Sequence, residues 1–180
     1  MKTALILIDI QNDYFENGKM ELSQPEKASE NAAMLLARFR EQNSPVIHIQ
    51  HKSGPDGDFF IPETSGVEIH KSVTPTEGET HIVKNYPNGF RHTNLLQTLK
   101  DLEIEHLVIC GMMTHMCVDA TTRAAKDFDF ECTLIGDACA TRDLEINGKQ
   151  VAAKDVQTAF LAALDYFYAK VINTEKYLKH

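Results

Sequence analysis

Short apolar runs rich in β-branched residues alternate with amphipathic stretches along this 180-residue chain. The alternation favours an α/β fold with a parallel sheet, because parallel strands are joined by helical crossovers. The predicted strands cover residues 3–10, 45–51, 81–84, 106–111, 131–136 and 169–173. Apolar stripes at helical spacing predict core-facing helices over residues 28–39, 95–99 and 156–167.

Composition narrows the class of protein and of ligand. No Pro/Gly/Ser-rich linker divides the apolar pattern, so we expect one domain over residues 1–180. The formal net charge is −8 and there is no basic stripe, which argues against nucleic acid and membranes as partners and favours a small-molecule substrate. The first apolar run ends at Asp9, too early for a signal peptide or a membrane span, so we expect a cytoplasmic protein.

Residues 52–80 interrupt the alternation. This segment contains seven glycines and prolines and shows little periodicity. Loops of this length in compact domains are usually functional or mobile. Two interpretations are open, a flap over a functional site and a purely structural excursion.

Polar side chains stand at the ends of three predicted strands. Asp9 ends the first apolar run, Lys84 ends the third strand, and Cys117 follows the fourth. Ligands of open parallel sheets bind beyond the carboxyl ends of the strands, so these groups are expected to meet. A carboxylate, an ammonium and a thiol together favour acyl transfer with the cysteine as nucleophile.

Cys117 lies where an apolar strand gives way to a helix. The helix dipole and the Lys84 charge are expected to stabilise the thiolate, and Asp9 is expected to take the thiol proton. Simpler roles also fit each residue alone: burial for the cysteine, turn capping for Asp9 and a solvated strand end for Lys84. Cys110, Cys132 and Cys139 are interpreted as buried, reduced thiols.

Three separated motifs resemble the isochorismatase-like cysteine hydrolases, the superfamily that contains nicotinamidases and carbamoylsarcosine amidase. They are Asp9-Ile-Gln-Asn-Asp13, the stretch from Lys84 to Leu95, and Gly111-x-x-Thr114-x-x-Cys117-Val118 with Thr122-Arg123-x-Ala125. The motifs follow in the family's order and the similarity covers nearly the whole chain.

The resemblance implies a three-layer α/β/α Rossmann-like fold with a six-stranded, mainly parallel sheet in the order 3-2-1-4-5-6. It implies a catalytic triad of Asp9, Lys84 and Cys117 and a cis peptide between Met112 and Met113. The N–H groups of Met113 and Cys117 are then expected to form an oxyanion hole. Family members are usually homodimers or homotetramers, so we expect self-association.

We therefore predict a hydrolase of a small-molecule amide or related C–N bond that forms a thioester on Cys117, with Asp9 as acid and base and Lys84 supporting the thiolate. Two alternatives are open. An isochorismatase-type hydrolase of a vinyl ether would use Asp9 and Lys84 and tolerate the loss of Cys117. A non-catalytic thiol-sensing or binding domain would oxidise Cys117 reversibly without turnover.

The resemblance also bears on metals. Nicotinamidases carry a metal site around an Asp-x-His unit at the end of the second strand, and the matching segment here has Ile49 in place of the carboxylate. We therefore expect no metal and no cofactor. His48 and His51 with Asp56 are the residues that could supply a divalent-metal site instead.

Several residues near the motifs are predicted to contact the substrate. Their aromatic and apolar character suggests a small, partly planar or apolar acyl group. Phe59, Phe60 and Met116 fit the pocket and the core equally well. The predicted contact residues are Gln11, Phe15, Tyr86, Phe90 and Met112.

Overall fold

The computed structural model describes residues 1–54 and 56–179 and contains one large sheet and one hairpin. The strands are β1 Thr3–Ile8, β2 Val46–His51, β3 Thr80–Lys84, β4 His106–Met112, β5 Glu131–Ala140, β6 Leu144–Ile146, β7 Lys149–Val151 and β8 Lys170–Ile172. The helices are α1 Pro25–Glu41, α2 Leu95–Asp101, α3 Asp119–Asp127, α4 Ala153–Asp165 and α5 Thr174–Leu178. Short helical turns cover Asn12–Tyr14, Ser65–Val67, Lys71–Val73 and Thr114–Val118.

The six strands of the large sheet are parallel and lie in the order β3-β2-β1-β4-β5-β8. Helix α1 packs beside α5, and α3 packs beside α4, so helices flank the sheet in a three-layer α/β/α arrangement. The central strands β1 and β4 are buried over nearly their whole length, as expected when helices cover both faces of a parallel sheet. The predicted fold and strand order are confirmed, with β8 as the sixth predicted strand.

The hairpin of β6 and β7 is an element that the sequence prediction missed. Its two strands are joined by Asn147 and Gly148, which both have positive φ. Asn-Gly between two short strand-like runs is a strong hairpin signal, because both central residues of a type I′ turn need positive φ.

Among the described residues, no helix is both long and apolar enough to cross a membrane.

The 52–80 segment packs against the loop that follows β1. The side-chain amide of Gln11 donates to the carbonyl of Val67 at 2.7 Å, and that of Asn12 donates to the carbonyl of Ser65 at 2.8 Å. The buried carboxylate of Asp13 accepts from the N–H of Phe60 at 2.6 Å. The segment is therefore fastened to the end of β1, and Pro55 within it lies outside the described residues.

Gly111 lies in β4 directly beside β1. It pairs with Ile8 and has φ of +136°, a conformation that residues with a side chain rarely adopt. A Cβ atom here would overlap the carbonyl oxygen of Ile8 and lie 2.7 Å from its nitrogen. Both neighbours are backbone atoms of the sheet, so neither can move aside cheaply.

We expect Gly111→Ala to lower the free energy of unfolding by about 3 kcal/mol, because the methyl group strains both the residue's own backbone and β1. Urea denaturation measures this loss. The matched control is Gly54→Ala, where a Cβ meets nothing within 4 Å. Equal stability of the two variants would show that this close approach is wrong.

Candidate active site

Asp9, Lys84 and Cys117 meet at the carboxyl edge of the sheet. Asp9 directly follows β1, Lys84 is the last residue of β3, and Cys117 lies in the helical turn between β4 and α3. Their exposed fractions are 0%, 1% and 5%. The three groups chosen from the strand ends therefore form one buried cluster.

The ammonium of Lys84 is the centre of this cluster. Its Nζ atom lies 2.6 Å from Oδ2 of Asp9, 3.3 Å from Sγ of Cys117 and 3.0 Å from Nδ1 of His51. Burial alone would lower the pKa of Lys84, but the charges of Asp9 and Cys117 and the hydrogen bonds to them outweigh burial and raise it. Lys84 is therefore a cation at neutral pH.

Asp9 has one engaged and one open carboxylate oxygen. Oδ2 accepts from Lys84, whereas Oδ1 is buried and has no hydrogen-bond partner among the described residues. The backbone of Asp9 has φ of +50°, which is uncommon outside glycine and turns the chain sharply at the end of β1. An open, buried carboxylate oxygen beside a thiol is placed to accept a proton.

The pKa of Cys117 is raised, chiefly by burial and next by the negative charge of Asp9, while Lys84 opposes both. The thiol is therefore protonated in the resting site. That Lys84 supports the thiolate and that Asp9 takes the thiol proton both stay predictions. The proton has to leave Sγ when the cysteine reacts, and the acceptor at hand is Asp9.

The backbone around Cys117 has two unusual features. The peptide between Met112 and Met113 is cis, as the family resemblance implies, and Thr114–Val118 form a π-helical turn rather than the start of an α-helix. The N–H groups of Met116 and Val118 both donate to the carbonyl of Met113. The N–H of Cys117 lies between them and does not use that acceptor, and its role in an oxyanion hole, with the N–H of Met113, stays a prediction.

Comparison with known proteins agrees with this fold. The family model described as the isochorismatase domain matches residues 3–176. The chain belongs to the isochorismatase family. It is 53% identical over 180 residues to the isochorismatase family protein YddQ of Bacillus subtilis strain 168, which covers 99% of this chain and 100% of that protein.

Two further relatives extend the comparison. A crystal structure of a protein from Oleispira antarctica assigned to the isochorismatase hydrolases has a TM-score of 0.96 and 47% identity, covering 99% of this chain and 97% of that one. A streptothricin hydrolase of Streptomyces noursei is 32% identical over 161 residues, covering 89% of this chain and 55% of that protein. Isochorismatase family members are hydrolases, and this chain is one of them.

The two histidines considered for a metal do not converge in this isochorismatase family member. His48 and His51 are three residues apart on β2, so their side chains point to opposite faces of the sheet. Nε2 of His48 lies 2.9 Å from Glu79, whereas Nδ1 of His51 lies 3.0 Å from Lys84, and Asp56 is exposed. The suggested site of His48, His51 and Asp56 is therefore wrong.

One other donor group could hold a metal among the described residues. Ligand atoms of Asp9, His51 and Cys117 lie within 4.8 Å of one another. The ammonium of Lys84 already contacts all three donors. A divalent ion at this place would have to compete with a buried, fixed positive charge.

Gln11 and Phe15 are both held by the 52–80 segment. The Gln11 amide donates to the carbonyls of His51 and Val67 and accepts from the His51 N–H, so all its polar groups serve the backbone. Phe15 stacks on His70 with ring centroids 3.7 Å apart. Gln11 therefore positions the loop, and a substrate contact by Phe15 stays a prediction.

The remaining predicted substrate contacts have different surroundings. Phe90 packs against Phe128 and Phe130, at the end of α3 away from Cys117, because the side chain turns to the aromatic cluster before β5. The side chain of Met112 is fully buried within β4. Contact of Phe90 or Met112 with substrate stays a prediction. Tyr86 is half-buried under the Arg91 guanidinium, and its contact with substrate stays a prediction.

Sequence reasoning missed His51 as a member of the site and gave no role to the buried Tyr14. His51 was considered only as a metal ligand, although its position at the last residue of β2 is a strand end like that of Lys84. Tyr14 was passed over for Phe15. Burial chiefly raises the pKa of Tyr14, and the charges of Cys117 and Asp9 add to this, so its hydroxyl is neutral.

The charges around Cys117 predict opposite effects of two substitutions. Asp9→Asn removes the negative charge that raises the thiol pKa, so alkylation of Cys117 by iodoacetamide at pH 7 should become about tenfold faster while turnover is lost. Lys84→Met removes the cation and should slow alkylation by a similar factor. Peptide mass analysis measures the rate at Cys117 alone.

The exposed Lys100→Met serves as the control and should leave the alkylation rate unchanged. Slower alkylation in Asp9→Asn would contradict the account, because it would mean that Asp9 stabilises the thiolate at rest.

Proposed function

We propose that this isochorismatase family hydrolase cleaves a small-molecule amide or related C–N bond through a thioester on Cys117. The observation that carries the proposal is the arrangement of the two Asp9 oxygens. One is held by Lys84 and the other is an unpartnered acceptor in the buried cluster that contains Sγ. The site therefore combines a nucleophile, a base without a competing partner and a fixed cation.

The first half-reaction begins with the protonated thiol. Asp9 accepts the proton from Sγ as the sulfur attacks the carbonyl carbon, and Lys84 stabilises the developing thiolate. We expect the N–H groups of Met113 and Cys117 to receive the oxyanion. Asp9 then returns the proton to the leaving nitrogen, and ammonia or an amine departs as the C–N bond breaks.

The second half-reaction reverses these proton movements. A water molecule enters on the side of the leaving group, Asp9 takes one of its protons, and the hydroxide attacks the thioester carbonyl. The C–S bond breaks, the proton on Asp9 goes to Sγ, and the carboxylic acid is released. The resting state with a protonated thiol is restored, in agreement with the raised pKa of Cys117.

The comparisons support a C–N hydrolase without naming the substrate. The streptothricin hydrolase among the relatives shares 32% identity with this chain, and a nucleophilic cysteine is the group that a covalent amidase needs. Because the Lys84 ammonium already contacts the Asp9, His51 and Cys117 donors, we further propose that the reaction uses no metal or other cofactor. Treatment with a chelator should then leave turnover unchanged.

Access to the cluster requires movement of a neighbouring segment. The catalytic side chains are at most 5% exposed, and Phe60 of the 52–80 segment is fully buried beside them, with its ring 6.0 Å from that of His51. We therefore propose that this segment opens to admit substrate.

We also propose that the protein self-associates as a homodimer or homotetramer. Size exclusion with light scattering measures this, and a monomer would contradict the proposal.

The proposed reaction predicts a covalent intermediate. A screen of amides that includes nicotinamide, pyrazinamide, N-carbamoyl compounds and streptothricin should identify a substrate from which ammonia or an amine is released. Rapid acid quenching during turnover should show the mass of an acyl group on Cys117. Cys117→Ala should lower turnover by at least about a thousandfold, because the Cys117 sulfur is the nucleophile of the first half-reaction and the leaving group of the second.

The matched control is Cys132→Ala, which removes a buried thiol near the start of β5, at the edge of the sheet opposite the active site, and should keep turnover. Full activity of Cys117→Ala on any identified substrate would contradict covalent catalysis. Activity of that variant on isochorismate would instead establish the vinyl-ether reaction. Reversible oxidation of Cys117 with no turnover of any amide would favour a sensing domain.

A further inference from the structure

His51 is the third acceptor around Lys84, and the proposed reaction does not use it. Nδ1 of its ring lies 3.0 Å from Nζ of Lys84. An ammonium can only donate, so Nδ1 must accept and the ring hydrogen must lie on Nε2. The contact thus determines both the charge and the tautomer of His51.

We propose that His51 is a positioning residue that aims one N–H of the Lys84 ammonium at the sulfur of Cys117. This rests on the proposed function, in which Lys84 supports the thiolate. An ammonium carries three hydrogens at tetrahedral angles. Asp9, His51 and Cys117 supply three acceptors at 2.6, 3.0 and 3.3 Å, one for each hydrogen.

The longest of these bonds is the one to sulfur, and the other two fix its direction. With Asp9 alone, the Lys84 side chain could still pivot about the hydrogen bond to Oδ2 and carry Nζ away from Sγ. A second acceptor at His51 restricts that movement and keeps the third hydrogen directed at Sγ. Without His51, one N–H of a buried cation would also lack an acceptor, which is costly away from water.

The backbone of His51 is itself fixed. Its N–H donates to the Gln11 side chain at 2.8 Å, and its carbonyl accepts from the same side chain at 2.8 Å. The Gln11 amide therefore holds the backbone N–H and the backbone carbonyl of His51 at the same time. The motif that begins at Asp9 thus places the acceptor as well as the base.

The charged groups that face the ring keep it neutral. Burial is the main cause that lowers the pKa of His51, the positive charge of Lys84 lowers it further, and Asp9 acts in the opposite direction. Cys117 faces the ring as a neutral thiol. A neutral ring accepts from Lys84, whereas a cationic ring would repel it.

The test compares two variants by the pH dependence of iodoacetamide alkylation at Cys117, followed by peptide mass analysis. His51→Leu removes the acceptor and should move the alkylation profile up by about one pH unit, or about tenfold in rate at a given pH. His51→Asn keeps an acceptor near the Nδ1 position and should restore most of the rate. His81→Asn, on the exposed side of β3, is the control and should match the parent protein.

The proposal would be overturned if the alkylation profile of His51→Leu stayed at the pH of the parent protein or moved to lower pH. It would also be overturned if His51→Leu and His51→Asn shifted the profile equally. Nitrogen NMR of the parent protein gives an answer even if a variant does not fold, since it should show a neutral ring with hydrogen on Nε2. Hydrogen on Nδ1 would also overturn it. Neither measurement needs a substrate. The role of His51 can therefore be tested even if no amidase activity is found, and the two proposals can fail independently.

Discussion

The buried ammonium of Lys84 is the interaction on which the site depends. Its side chain is fully buried, and a charge taken out of water is tolerated only when its hydrogens are paired. The three partners come from the end of β1, the end of β2 and the turn after β4, while Lys84 itself ends β3. One cation therefore ties together four segments that are distant in the sequence.

The strand order explains how these segments meet. β1 is central, with β2 and then β3 on one side and β4 on the other, and all four strands point the same way. Asp9 supplies the carboxylate, while Gln11, Asn12 and Asp13 fasten the 52–80 segment above it. The motif at the end of β1 thus provides catalytic chemistry and also encloses it, which strengthens the electrostatic contacts by excluding water.

Much of this arrangement could be predicted from the sequence, because strand ends and their polar residues are visible as interruptions of apolar runs. Asp9, Lys84 and Cys117 were found in this way, and the family resemblance implied the cis peptide after Met112. The opposite faces of His48 and His51 also follow from their spacing, so the metal suggestion was avoidable. The Asn147-Gly148 turn is a further signal present in the sequence.

Other features depend on packing at a distance and have no local signal. Phe90 follows a strand end but turns to Phe128 and Phe130, which lie almost forty residues later. The protonation state of Cys117 depends on the depth of burial and on the exact neighbours of Sγ, so the sequence could indicate only a reactive thiol. The pairing of Lys84 with His51 requires knowing which strands are adjacent in the sheet.

A neutron crystal structure at neutral pH tests the central claim most directly, since it locates the hydrogens of the cluster. The account predicts three deuterium atoms on Nζ of Lys84, directed at Asp9, His51 and Cys117, together with a protonated sulfur. A neutral amine at Lys84 beside a protonated Asp9, or a bare thiolate at rest, would contradict it.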